Sequence, residues 1–307
     1  MKGLRLIAAI VMMTMLLLTM VGCDRNAPSG SSNQSDDVTN SPSKEVLISK
    51  ATGKKVTGND TVKLDISNKN QGYMCVKYLG SNEKVKLQVV KDGITYTYNL
   101  LQKGEYEIFP FTEGSGQYDI NVFENISGTQ YYQVYSESVT VKLEDENSPF
   151  LYPSQYINYG KDDSIIQLSR EVTASSEDDL DKVEDVYHYV TKNITYDEQL
   201  AANVETDYLP NLEHILESKT GICFDYAAVM SGMLRIQHIP TKLVIGYVGE
   251  AYHAWISVYS KETGWIDGVI EFDGKSWELM DPTKAASTGD KEGYIDDDSR
   301  YNALYYY

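Results

Sequence analysis

The feature that most constrains this chain is a change in apolar period part-way along it. From Val62 to Leu143 apolar residues fall at alternate positions in short runs: Val62/Leu64/Ile66, Val85/Leu87/Val89, Tyr96/Tyr98, Tyr106/Ile108, Ile120/Val122 and Val139/Val141/Leu143. Period two puts these side chains on one face of an extended strand. With Asp92-Gly93 and Gly114-Ser115-Gly116 as turns, the pattern predicts an antiparallel β-sandwich of roughly seven or eight strands over residues 45–145. The tyrosines here, Tyr131, Tyr132 and Tyr135 among them, read as good sheet formers rather than as a ligand-binding face. Nothing in the region supplies a catalytic group.

Asn147-Ser148-Pro149-Phe150 and Tyr152-Pro153 mark a boundary, beyond which the period becomes helical. Ser175 and Asp178 resemble a capping box, and Leu180, Val183, Val186, Tyr187 and Val190 then share one helix face up to about Asn193. A second helix is expected from Pro210, a residue suited to a first helical position, to Ser218. A third begins at Cys223, buries Ala227, Met230, Met233 and Leu234, and closes at His238-Ile239-Pro240. Strands follow at Lys242–Tyr247 and around His253–Tyr259. A hairpin about Asp273-Gly274 returns as Trp277–Met280 and is stopped by Asp281-Pro282. The fold class expected is α+β: the sandwich, then a second domain over residues 150–307 with helices packed on an antiparallel sheet. A 307-residue chain with 42% hydrophobic residues is long enough for two such cores.

The N-terminus reads as an address. Lys2 and Arg5 precede an apolar stretch from Leu6 to Val21 that is short for a membrane span, as in a signal peptide covering residues 1–22. Its end, Leu18-Thr19-Met20-Val21-Gly22-Cys23, resembles the lipobox of bacterial lipoproteins, with Met20 in place of the usual leucine. The resemblance implies lipidation at Cys23 and an extracytoplasmic, membrane-anchored protein. Residues 23–44 are polar and rich in Ser, Asn and Asp, the composition of a flexible tether. With Cys23 lipidated, only Cys75 and Cys223 remain, so no disulfide framework is expected. The formal charge of −18 repels phosphate backbones and argues against nucleic acid as a partner. Neither Asp296-Asp297-Asp298 nor Glu177-Asp178-Asp179 has the spacing of a metal loop, and no metal or cofactor is expected.

Cys223 is the residue with most chemical potential. A thiol at a helix start faces unpaired amides and the positive end of the dipole, which favour its anion. His253 and Asp281 downstream complete a nucleophile, base and orienter set. His188, His214 and His238 lie within or at the ends of helices and carry no motif.

Lys219-Thr220-Gly221-Ile222-Cys223-Phe224-Asp225-Tyr226-Ala227, His253-Ala254-Trp255-Ile256 and Trp277-Glu278-Leu279-Met280-Asp281-Pro282-Thr283 resemble, in order, the three motifs of the transglutaminase-like superfamily. The likeness covers about residues 168–287. It implies a papain-like core in which Cys223 attacks, His253 moves the proton and Asp281 orients the imidazole. Tyr196, ahead of the cysteine, is a candidate to join the Cys223 amide in stabilising an oxyanion. The implied reaction is acyl transfer from a protein or peptide amide through a thioester. Hydrolysis, as in a cysteine peptidase, is the leading expectation. Amine transfer and a non-catalytic envelope lipoprotein are the alternatives.

Overall fold

The six alternating runs fall on six of eight strands, all but β1 and β3: β1 (Val56–Gly58), β2 (Val62–Asp65), β3 (Tyr73–Tyr78), β4 (Val85–Lys91), β5 (Ile94–Asn99), β6 (Tyr106–Pro110), β7 (Gly116–Ser127) and β8 (Gln130–Val141). They form two four-stranded antiparallel sheets, ordered β1-β2-β3-β6 and β5-β4-β7-β8, as the sequence predicts. The computed structural model describes residues 45–272, 277–279 and 301–307. Asp92 and Gly93 make the two-residue turn of the β4–β5 hairpin, both at positive φ (51° and 88°), with Lys91 opposite Ile94. Period two fails on β3, where Tyr73 to Val76 are all buried. Met74 and Val76 face the sandwich core. The other face is covered as well, with Tyr73 stacked 5.1 Å from Tyr152 in the following segment. Cys75 shares that face, and burial pushes its thiol up to about 12.

The second part contains α1 (Ser164–Val172), α2 (Asp179–Asn193), β9 (Thr195–Tyr196), α3 (Glu198–Ala202), α4 (Leu212–Ser218), β10 (Thr220–Gly221), α5 (Cys223–Ile236), β11 (Thr241–Val248), β12 (Ala251–Ser260), β13 (Gly264–Phe272), β14 (Trp277–Leu279) and β15 (Tyr301–Tyr306). Two expected helix starts move. For α2 the cap is Asp178 alone, its carboxylate accepting the amides of Leu180 and Asp181, so Ser175 lies outside. For α4 the cap is Asn211, which accepts the His214 amide, so Pro210 precedes the helix. Helix α1 lacks a sequence signature because its N-terminal amides are capped from a distance: Glu213 accepts those of Ser164 and Ile165.

Five antiparallel strands form a sheet in the order β14-β13-β12-β11-β15. The register Phe272 to Trp277 confirms the predicted β13–β14 hairpin, while its turn residues lie outside the described ones. The C-terminal strand β15 carries no predicted signal, yet it pairs along β11. A Cβ on Gly246 would lie 2.1 Å from the Asn302 carbonyl oxygen, so the close approach of β15 requires glycine there.

Helix α5 lies between this sheet and α1, α2 and α4, and every residue from Asp225 to Ile236 is buried. A helix apolar all round belongs inside a core. Its two charged residues sit at opposite ends, Asp225 in the first turn and Arg235 in the last, each with the sign that the helix dipole favours. Arg235 is 0% exposed. It donates to the Thr241 carbonyl from Nε (3.0 Å) and Nη2 (2.7 Å), to that of Tyr152 (2.7 Å) and to that of Tyr307 (2.8 Å).

Residues Lys44–Tyr307 form one compact unit. An aromatic seam runs through it. Tyr98 of β5 packs against Tyr156 and Tyr307, Tyr307 against Tyr156, and Tyr156 edge-on against Phe224 at 5.2 Å. Among the described residues no helix is long and apolar enough to cross a membrane.

Replacing Arg235 by Ala removes the guanidinium from three carbonyls at once, those of Thr241, Tyr152 and Tyr307. The expected cost is about 3 kcal/mol, or a melting temperature lower by roughly 6–12 °C. A thermal melt within a degree or two of wild type would show that the junction does not depend on the guanidinium.

Candidate active site

The turn before α5 is built from two short elements. Strand β10 pairs in parallel with β9, placing Gly221 opposite Tyr196. The Thr195 amide donates to the Lys219 carbonyl (2.8 Å), the Asp197 amide to that of Gly221 (2.9 Å), and the Tyr226 hydroxyl to that of Ile194 (2.5 Å). These bonds fix Ile194–Asp197 beside the first turn of α5. Tyr196, far from Cys223 in sequence, thereby reaches it: its hydroxyl lies at the Cys223 backbone N–H. Burial raises the Tyr196 phenol and the Cys223 thiol beside it adds to that, while the amide works the other way.

Cys223 opens α5 at its first helical position, where the amide has no partner within the helix. Its thiol is partly exposed, and the amides of Ala254 on β12, of Phe224 and of Cys223 itself favour its anion. The β12–β13 ladder is described from Ile256 to Ser260, and Ala254 lies beyond that span. The thiol is not poised as the helix start alone suggests. Burial raises it above the ordinary value and outweighs the three amides. Desolvation acts on the whole thiolate charge, whereas each amide contributes a partial dipole.

His253 immediately precedes Ala254, so the residue expected to be the base is carried past the thiol on the same strand. It is partly buried and stands opposite Gly246. Its ring lies nearly parallel to that of Trp255 at 6.4 Å, and Trp255 is braced edge-on by Tyr301 of β15 at 5.5 Å. Asp281 lies outside the described residues. The other histidines are placed elsewhere: His188 beside Glu184 on an exposed helix face, His214 exposed on α4, and His238 against the Glu45 carbonyl. Among the described residues no cluster of three or more His, Cys, Asp or Glu is arranged to hold a metal ion.

Sequence reasoning overlooked three residues around Cys223. Asp225, 0% exposed, accepts the Ile222 amide at 2.8 Å and the Tyr208 hydroxyl at 2.8 and 2.9 Å. An acid at the third helical position is itself a visible signal. Tyr208 has none, because it lies in an irregular loop before α4. Tyr252, next to His253, is raised by burial first, and the charges of Tyr305, Tyr247 and Cys223 add to that.

The sequence profile of the transglutaminase-like superfamily matches residues 166–268, a span that takes in Cys223 and His253 and ends before Asp281. An uncharacterised protein of Bacillus subtilis (strain 168), YebA, is 24% identical over 183 residues, covering 52% of this chain. The chain spans about a quarter (25%) of that relative's length. Among solved structures, a candidate cysteine protease from Cytophaga hutchinsonii is 16% identical with a TM-score of 0.36, over 58% of this chain and 68% of that one. A candidate protease from Parabacteroides distasonis is 13% identical with a TM-score of 0.28, over 58% and 36%. With a Cys-headed helix packed on an antiparallel sheet and the profile match over the same residues, residues 166–268 form a transglutaminase-like domain and belong to the transglutaminase-like superfamily.

Proposed function

We propose that this chain is a cysteine enzyme that opens amide bonds of proteins or peptides through a thioester on Cys223. The observation that supports the reading best is the packing of the helix headed by Cys223 on β12, the strand that carries His253. Because burial holds the thiol protonated, attack needs a base, and His253 is the group carried to that point. The imidazole takes the thiol proton as sulfur bonds to the carbonyl carbon. The carbonyl oxygen gains the negative charge, met by the Cys223 amide and the Tyr196 hydroxyl. Collapse expels the amine, which leaves with the proton from the imidazolium, and a thioester remains. Asp281 is assigned to orient the imidazole. Water resolving the thioester makes the protein a peptidase, the reading we favour; a lysine amine would make it a transferase.

The raised thiol sets a pH test with a definite sign. In His253→Ala, alkylation of Cys223 by iodoacetamide in the full chain should rise with a midpoint above that of an ordinary thiol. In wild type the imidazole should move that midpoint below it. Peptide mapping separates the label from Cys23 and from buried Cys75. Identical profiles would remove His253 from the mechanism.

Casein incubated with the enzyme and a dansylated amine reports the acceptor: new peptide termini mark hydrolysis, dansyl incorporation marks transfer. Tyr196→Phe should slow whichever product forms by about 10²–10³ while leaving alkylation unchanged. Equal rates would exclude Tyr196 from the oxyanion site.

We assign residues 1–22 as a lipoprotein signal peptide, with Cys23 as the lipid attachment point and the enzyme held outside the cytoplasmic membrane. Replacing Cys23 by Ala should move the protein from the detergent phase to the aqueous phase of a Triton X-114 extraction. Unchanged partitioning would exclude the anchor.

A further inference from the structure

We propose that Tyr208 and Asp225 are a positioning pair for the nucleophile: the Asp225 carboxylate braces the turn that presents Cys223 and sets a negative charge beneath it, and Tyr208 holds that carboxylate in place. The proposal rests on the reading of Cys223 as nucleophile and His253 as base.

An acid placed only to suit the helix dipole would sit in solvent, where it contributes little. Asp225 is instead 0% exposed, and its two oxygens take one amide and a bridging hydroxyl. A carboxylate this deep must be well paired or give up its charge. The turn is shaped around it: a Cβ on Gly221 would lie 2.7 Å from the Asp225 Cβ. Tyr208 comes from the loop between α3 and α4, which also touches the sandwich through Asn99 Nδ2 and the Thr206 carbonyl at 3.3 Å.

Both residues stand in one helical turn, so the carboxylate opposes ionisation of the thiol. The groups that act on the thiol are Asp225 and the Phe224 amide from α5, Tyr196 from β9, and Tyr252 and the Ala254 amide from β12, the strand that carries His253. Burial raises the Asp225 carboxyl above its ordinary value; the Ile222 amide and the Tyr208 hydroxyl work against that, Asp197 adds to it and His214 opposes it. The pair therefore keeps Cys223 a thiol until a proton reaches the imidazole beside it.

Asp225→Asn keeps the shape and an acceptor for the Ile222 amide but removes the charge. In the full chain it should move the midpoint of Cys223 alkylation down by about half a pH unit or more. Tyr208→Phe keeps the ring and loses the hydrogen bond; it should slow alkylation several-fold at the pH plateau, because the thiol is no longer held toward His253. An Asp225→Asn protein with a lower melting temperature but an unmoved midpoint would reduce Asp225 to a structural role and overturn the proposal. So would wild-type plateau rates in Tyr208→Phe, which alone decides the matter if Asp225→Asn does not fold. Insensitivity of wild-type alkylation to His253→Ala is a separate result, and it would sink the nucleophile–base reading on which this one stands.

Discussion

Helix α5 has no solvent face, and the rest of the catalytic part follows from that. A helix buried on all sides needs a sheet on one side and helices on the other. It must also settle two charged residues and two sets of unpaired backbone groups without water. At its start Asp225 closes on the Ile222 amide, and at its end Arg235 gathers carbonyls from three separate segments. Cys223 stands in the first turn, where this helix is partly exposed.

Burial also explains why the two described thiols differ. Cys75, 1% exposed within the sandwich sheet, is driven so far toward its neutral form that it is chemically silent. Cys223 is desolvated too, but three amides offset part of the cost, one of them from Ala254, which follows His253 on β12. Its position at a helix start packed on β12, more than any intrinsic acidity of the thiol, distinguishes it.

The sandwich contributes to the site through aromatic packing. Tyr98, Tyr307 and Tyr156 link β5 to Phe224, the neighbour of the nucleophile. On the far side of the sheet, β15 braces Trp255 and, through it, the ring of His253. Segments without any catalytic motif thus limit the freedom of both reacting side chains.

The periods of the apolar residues were enough to specify six of the eight sandwich strands, α2, the helix headed by Cys223 and the strand carrying His253, because each depends on a local pattern that a single segment displays. The same holds for the β13–β14 hairpin and for the motifs around Cys223 and His253. Other features needed the folded chain. Helix α1 is capped by Glu213 from a distant segment, β15 is a strand only because β11 offers it an edge, and Tyr208 meets Asp225 only once the loop before α4 has folded back. The direction of the Cys223 shift belongs to the same class. Sequence places a thiol at a helix start, but how much water it loses is set by the sheet packed over it, and desolvation is a property of the assembled core.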